Sequence, residues 1–127
     1  MKHPERIADY VEHIAEAIER AIGYLRPLTV LEDLQQNQLV QDALVRNIEI
    51  IGEAAGNIQR MAPDFIAAHP KLPWKQMRAM RNLVIHEYFF VDVNIVWTTV
   101  KNHLPGLKDQ VDELLIQIRS SPDQEPS

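Results

Sequence analysis

Apolar residues return every three or four positions along almost the whole chain, and this period constrains the fold more than any other feature. Ile7, Val11, Ile14, Ile18, Ile22 and Leu25 keep it over the first segment, with Glu5, Asp9, Glu12, Glu16 and Glu19 taking the other face. Only an α-helix gathers such a stripe on one side, so a helix is expected from about residue 5 to 26. Pro27 stops it, because proline has no amide to donate and clashes with the preceding turn. A short connection over Thr29 to Asn37 leads to a second long helix, Gln38 to Met61, with Val40, Leu44, Ile48, Ile51, Ala55 and Ile58 inward. Gly52 and Gly56 lie inside it at about 1 kcal/mol each relative to Ala, a cost that points to close approach of another helix. Pro63 opens a helical turn to Ala68. Pro73 falls in the first turn of a third main helix carrying Trp74, Met77, Met80, Leu83 and Val84.

Asp92 is placed to cap a fourth helix, Val93 to about His103, with Ile95, Val96 and Val100 inward. Pro105-Gly106 is expected to interrupt it, and a last helix to resume with Leu107, Val111, Leu114, Leu115 and Ile118. There is no alternating strand pattern, internal repeat or Gly-rich phosphate loop. The expected fold is all-α, a bundle of four or five helices. One domain over residues 1–119 is expected, with 120–127, which lack apolar residues, as a disordered tail.

Composition narrows the function. With 46% hydrophobic residues in 127, the chain can bury a core and is not a disordered segment. No window approaches the roughly 18 apolar residues of a membrane span, and the N-terminal residues show no apolar signal core, so a cytoplasmic location is expected. The absence of Cys excludes disulfides, thiolate zinc sites and thiol catalysis. The formal net charge of −5 argues against a generic nucleic-acid coat protein. Yet Phe65 to His86 carries Lys71, Lys75, Arg78 and Arg81 with no Asp or Glu, formally +4 within a remainder of −9. That stretch is either chance clustering on a solvated helix or a local anion site.

The segment Met80 to Asp92 holds the residues most suited to chemistry. At roughly 100° per residue, Arg78, Asn82 and His86 form one row, with Arg81 and Tyr88 on the same side and Met77, Met80, Leu83 and Val84 opposite. A continued helix would turn Glu87 into the apolar side, so the helix is expected to end or bend near His86, leaving Tyr88-Phe89-Phe90 as the connection to Asp92. Imidazole titrates near neutrality, so His86 can exchange a proton with a ribose 2′-OH or a leaving 5′-oxygen. Arg81 can hold a phosphate through two parallel hydrogen bonds, while Arg78, Lys75 and Asn82 can take flanking phosphate or sugar. This is the equipment of metal-independent RNA cleavage. One His per site falls short of an acid–base pair, and a symmetric homodimer would supply two.

The same face also reads as plain structure. A His at a helix end commonly offsets the helix dipole. Arg81 can pair with an acid of the second helix, where Asp42, Arg46, Glu49, Glu53, Asn57 and Arg60 form a polar stripe. Glu49 and Glu53 are the natural partners, and that stripe, Arg46 included, suits a buried salt-bridge network or a supporting layer behind the site. His3, His13, His69 and His103 are scattered, and His13 with Glu16 lacks further ligands, so neither a metal nor a cofactor is expected.

Arg81, four residues, His86, one residue, Tyr88 resembles the Arg-x4-His-x-Tyr motif of the HepT-like toxins, in the HEPN superfamily of small α-helical ribonucleases. The resemblance extends to Gln41–Ala55, Leu72-Pro-Trp74, Met80-Arg-Asn82, Val91-Asp92, Ile95-Val-Trp97 and Leu104-Pro105, in the family's order, over roughly residues 5 to 118. It implies a HEPN-type bundle acting as a symmetric homodimer. It further implies the toxin of a type VII toxin–antitoxin module, with Arg81 and His86 as catalytic pair, RNA (tRNA among the candidates) as substrate, and no DNA or membrane partner. The implied antitoxin is a minimal nucleotidyltransferase of MntA type that transfers AMP to Tyr88. Asn82 lies within the motif, and Glu87 fills its variable position, where a carboxylate would raise the His86 pKa or hinder RNA. An alternative role is a non-catalytic nucleotide- or partner-binding subunit of such a nucleotidyltransferase.

Overall fold

The structure, a computed structural model, describes residues 4–83 and 92–120, and all of its regular elements are helical. They are α1 (Pro4–Leu25), α2 (Leu31–Gln35), α3 (Gln38–Met61), α4 (Pro63–Ala68), α5 (Trp74–Leu83), α6 (Val93–Thr98), a π-helical turn (Thr99–His103) and α7 (Leu104–Ser120). The expected all-α bundle is observed, and no described helix is long and apolar enough to cross a membrane. Most of the tail expected from residue 120 lies outside the described residues; Ser120 itself closes α7.

The periodic stripes converge on one core. Val11, Ile14, Ile18 and Leu25 of α1 meet Leu44, Ile48, Ile51 and Ile58 of α3, and Val111, Leu114 and Ile118 of α7 close the other side. The first members of the α1 and α3 stripes, Ile7 and Val40, are only partly buried, as expected where a bundle opens to solvent.

Two elements depart from expectation. The connection before α3 contains a helix of its own, α2, too short for a periodic signal. It is fastened at both ends by single side chains. Asp33 accepts from the Thr29 and Val30 amides at 3.1 and 3.3 Å, and these bonds, Val30 foremost, hold its carboxyl below the usual range. Gln41, itself buried, donates to the Leu34 and Gln35 carbonyls at 2.9 and 3.2 Å, adding to the Asn37 amide already on Leu34 and tying the end of the short helix to α3.

The second departure is at Pro105-Gly106, which do not break the chain into separate helices. The Leu104 amide bonds the Thr99 carbonyl in a π turn, and α7 begins at Leu104 with Pro105 next to it. Proline has no amide to return and crowds the carbonyl four residues earlier. The wider π turn absorbs both effects, so the helix changes register rather than stopping. Asp92 caps α6 as expected, its Oδ1 accepting from the Ile95 amide at 3.2 Å. Pro73 sits one residue ahead of α5, where its carbonyl accepts the Met77 amide.

The start of α5 is anchored by an aromatic corner. Trp74 donates its indole N–H to the His69 carbonyl at 2.9 Å, and Phe65 packs against both rings. Burial there lowers the His69 pKa. The far end of α5 rests directly on α3. A Cβ placed on Gly52 would stand 2.5 Å from the Arg81 amide nitrogen and 2.9 Å from its Cα. Gly52 is therefore the site of close helix approach; at Gly56 a Cβ would meet only the Arg60 side chain, at 3.6 Å.

These two glycines should respond oppositely to the same substitution. Gly52→Ala forces two backbones apart and is expected to destabilise by about 1–3 kcal/mol. Gly56→Ala relieves helix entropy and is expected to stabilise by up to about 1 kcal/mol. Urea denaturation of both variants checks the contrast, and equal effects would refute the contact.

Candidate active site

The Gly52 contact decides where Arg81 stands. Because the α5 backbone touches α3 there, the Arg81 side chain leaves the contact alongside the next α3 residue, and its Nε lies 3.7 Å from Glu53 Oε2. Of the two acids expected as partners, the structure selects Glu53. The pair is loose. The separation exceeds a hydrogen bond, and the side chains are 58% and 60% exposed, so water screens it strongly.

Arg81 stands at the edge of a cleft of about 500 Å³ between α1, α3 and α5. Asn82 joins it from α5, Arg46, Glu49, Glu53 and Asn57 from α3, and Tyr10 and His13 from α1. Tyr10 is half-buried against the core, and the exposed His13 ring stands edge-on to it, centroids 6.1 Å apart at 83°. Among the described residues, no three His, Asp or Glu side chains come together as a metal site.

The structure divides the expected site residues into three groups. Arg81, Asn82, Arg46, Glu49 and Glu53 share the cleft. Arg78 and Lys75 do not line it. Arg78 is half-buried and donates to Gln59 Oε1 of α3 at 2.8 Å, while Lys75 is exposed on the first turn of α5. His86, Glu87 and Tyr88, and with them the expected helix end and aromatic connection, lie outside the described residues.

Two expectations change. The α3 polar stripe is not a buried network: Asp42, Arg46, Glu53 and Arg60 are exposed, Asp42 bonds Gln38, and Arg60 bonds Asn57. The +4 stretch is also not gathered into the cleft. Lys71 lies on the loop before α5, where its carbonyl accepts from Gln110 of α7 at 3.1 Å. The cleft takes its second arginine from α3 instead, and there Arg46 and Arg81 are formally balanced by Glu49 and Glu53.

Tyr10 and His13 were not singled out as site residues from sequence. Their one signal is the i, i+3 spacing, which sets both rings on one edge of the buried Val11–Ile14 stripe, the edge that α3 faces.

The structure is thus an all-helical bundle in which the arginine of the Arg-x4-His-x-Tyr sequence is set over a polar cleft. Comparison with known proteins identifies the family. Residues 14–114 match the family model described as ribonuclease HepT-like. The probable ribonuclease HepT of Thermococcus cleftensis is 44% identical over 106 residues, 84% of this chain and 93% of the relative. A protein of Caldanaerobacter subterraneus subsp. tengcongensis, provisionally named an RNase, is 39% identical over 84% of this chain and 91% of its own length. A two-part Methanocaldococcus jannaschii protein, named for gamma-glutamylcyclotransferase and provisionally for RNase, is 35% identical over 86% of this chain and 47% of its own length. No solved structure matches the chain. This chain belongs to the HepT-like ribonuclease family, and it is an enzyme of the RNase class.

The loose Arg81–Glu53 pair yields a prediction. Glu53→Gln removes a carboxylate that competes with phosphate for Arg81 and should leave folding stability within about 0.5 kcal/mol of wild type. A non-cleavable RNA should bind several-fold more tightly by fluorescence anisotropy. Weaker binding would show instead that Glu53 orients Arg81.

Proposed function

We propose that this chain is the toxin of a type VII toxin–antitoxin pair and acts in the cytoplasm as a metal-independent endoribonuclease. The observation that carries this reading is Arg81, seated by the α3 backbone at the edge of an open polar cleft, as the first residue of Arg81-x4-His86-x-Tyr88 in a chain of the HepT-like family. Arg81 and His86 form the catalytic pair. The acidic body limits nonspecific attraction of RNA and leaves recognition to the cleft.

In this reading two copies pair so that each contributes its motif to one composite site. One His86 takes the proton from the ribose 2′-OH, and the freed oxygen attacks the neighbouring phosphorus. The bond from phosphorus to the 5′-oxygen breaks, and the partner's His86 gives that oxygen a proton. The products are a 2′,3′-cyclic phosphate and a 5′-hydroxyl. Arg81 holds the non-bridging oxygens and favours the charge that builds on them. Asn82 orients the same phosphate, while Arg78 and Lys75 act on more distant backbone.

The antitoxin in this reading is a minimal nucleotidyltransferase. The Tyr88 phenolic oxygen attacks the α-phosphate of ATP, pyrophosphate leaves, and AMP stays on the ring. The new phosphate competes with RNA for Arg81, and the adenosine fills the approach to the cleft.

The test is RNA cleavage in EDTA. Wild type is expected to cleave, and His86→Ala to lose at least about 10²-fold in rate while melting at the same temperature. Undiminished cleavage by His86→Ala refutes the catalytic assignment. Coexpression with a neighbouring nucleotidyltransferase should add the mass of AMP to the chain, and Tyr88→Phe should abolish the addition.

A further inference from the structure

The cleft is wider than the motif requires. One arginine on one phosphate occupies a small part of about 500 Å³, a volume in the range of nucleotide-sized ligand sites. The α1 and α3 walls supply Tyr10, His13 and Arg46, none of which belongs to Arg-x4-His-x-Tyr. We propose that these three residues form a subsite for one unpaired RNA nucleotide beside the scissile bond, with Arg46 on its phosphate and the Tyr10–His13 pair stacking its base. The identity of the scissile bond rests on the ribonuclease reading above; the subsite itself rests on the geometry of the walls.

The aromatic pair is suited to stacking. Tyr10 is fixed by the core, and His13 is braced edge-on against it while remaining exposed. A braced ring loses little freedom when a base settles on it, and stacking accepts any base because each has a π-face. Arg46 is exposed on α3 across from this pair, and its planar fork matches two phosphate oxygens.

Charge indicates an unpaired nucleotide rather than a duplex. Among the described residues, Glu49 and Glu53 balance Arg46 and Arg81, so these walls bring no excess positive charge with which to hold a long phosphate run. Their carboxylates can accept hydrogen bonds from base N–H groups. A paired base hides the face and edge that such a cleft would contact, whereas an unpaired one offers both.

The test uses the full-length protein and a short, fluorescein-labelled, unpaired RNA with 2′-O-methyl groups throughout, which cannot be cleaved. Arg46→Gln is expected to weaken binding about tenfold and to reduce the salt dependence by about one phosphate contact. Tyr10→Leu, which keeps buried volume without an aromatic face, should weaken binding about five- to tenfold, while Tyr10→Phe should match wild type. The duplex form should bind more weakly than the single strand. On unmodified RNA, Arg46→Gln should raise KM with kcat within about twofold. Should Tyr10→Leu fail to fold, Arg46→Gln, an exposed position, still decides. Wild-type affinity in Arg46→Gln, duplex binding as tight as single-strand binding, or no binding by wild type would each overturn the subsite. Binding that depends on Arg46 and Tyr10 with no cleavage of the unmodified RNA would support the subsite and refute the ribonuclease mechanism. Cleavage that neither substitution perturbs would do the reverse.

Discussion

The direct contact between the α3 backbone and the α5 backbone at Gly52 is the constraint on which the arrangement of the site depends. α3 is the longest helix, and α1, α2, α4, α5 and α6 all pack on it. Contacts between side chains can shift a few tenths of an ångström as neighbours repack. The Gly52 contact has no such slack, since the hydrogen in place of a Cβ is what admits the Arg81 amide. Stability and site geometry thus meet at one point. Two further ties set the pose of α5: the Trp74 corner at its start and the Arg78–Gln59 bond along its side.

The electrostatics follow from that geometry. An acidic chain presents a cleft with equal numbers of arginines and carboxylates, and Arg81 is held by Glu53 across 3.7 Å in a solvated pair. A pair of this kind contributes little to folding and leaves the arginine free to exchange its partner. A phosphate that offers two short hydrogen bonds competes well against a single distant carboxylate oxygen. Discrimination then comes from which groups a ligand can satisfy at once, not from bulk attraction.

The sequence was informative wherever one helix face decided the outcome. The stripes of α1, α3 and α7 are buried as their periods required, Asp92 caps α6, and the helix from Gln38 to Met61 has the bounds its pattern indicated. It was less informative where no periodic face decided the outcome, and where a pattern offered several partners it did not choose among them. α2 depends on Gln41 of the following helix, and the π turn is a compromise between Pro105 and the burial of Leu104. The helical wheel of α5 put Arg78 and Arg81 on one side, but only packing against α3 could send one to Gln59 and the other to Glu53. His13 lay among scattered histidines until folding brought α1 alongside the polar stripe of α3.

That the cleft draws on residues 10–13, 46–57 and 81–82 has a consequence for synthesis. A chain emerging from the ribosome can form α1 and α3 and join their faces well before α5 is available, so the first two walls precede the third. Until α5 docks on Gly52, Arg81 has no fixed place, and a nascent or truncated chain carries the ingredients of the cleft without its geometry. The protein is therefore born without its complete cleft and acquires it only once α5 has been made and docked.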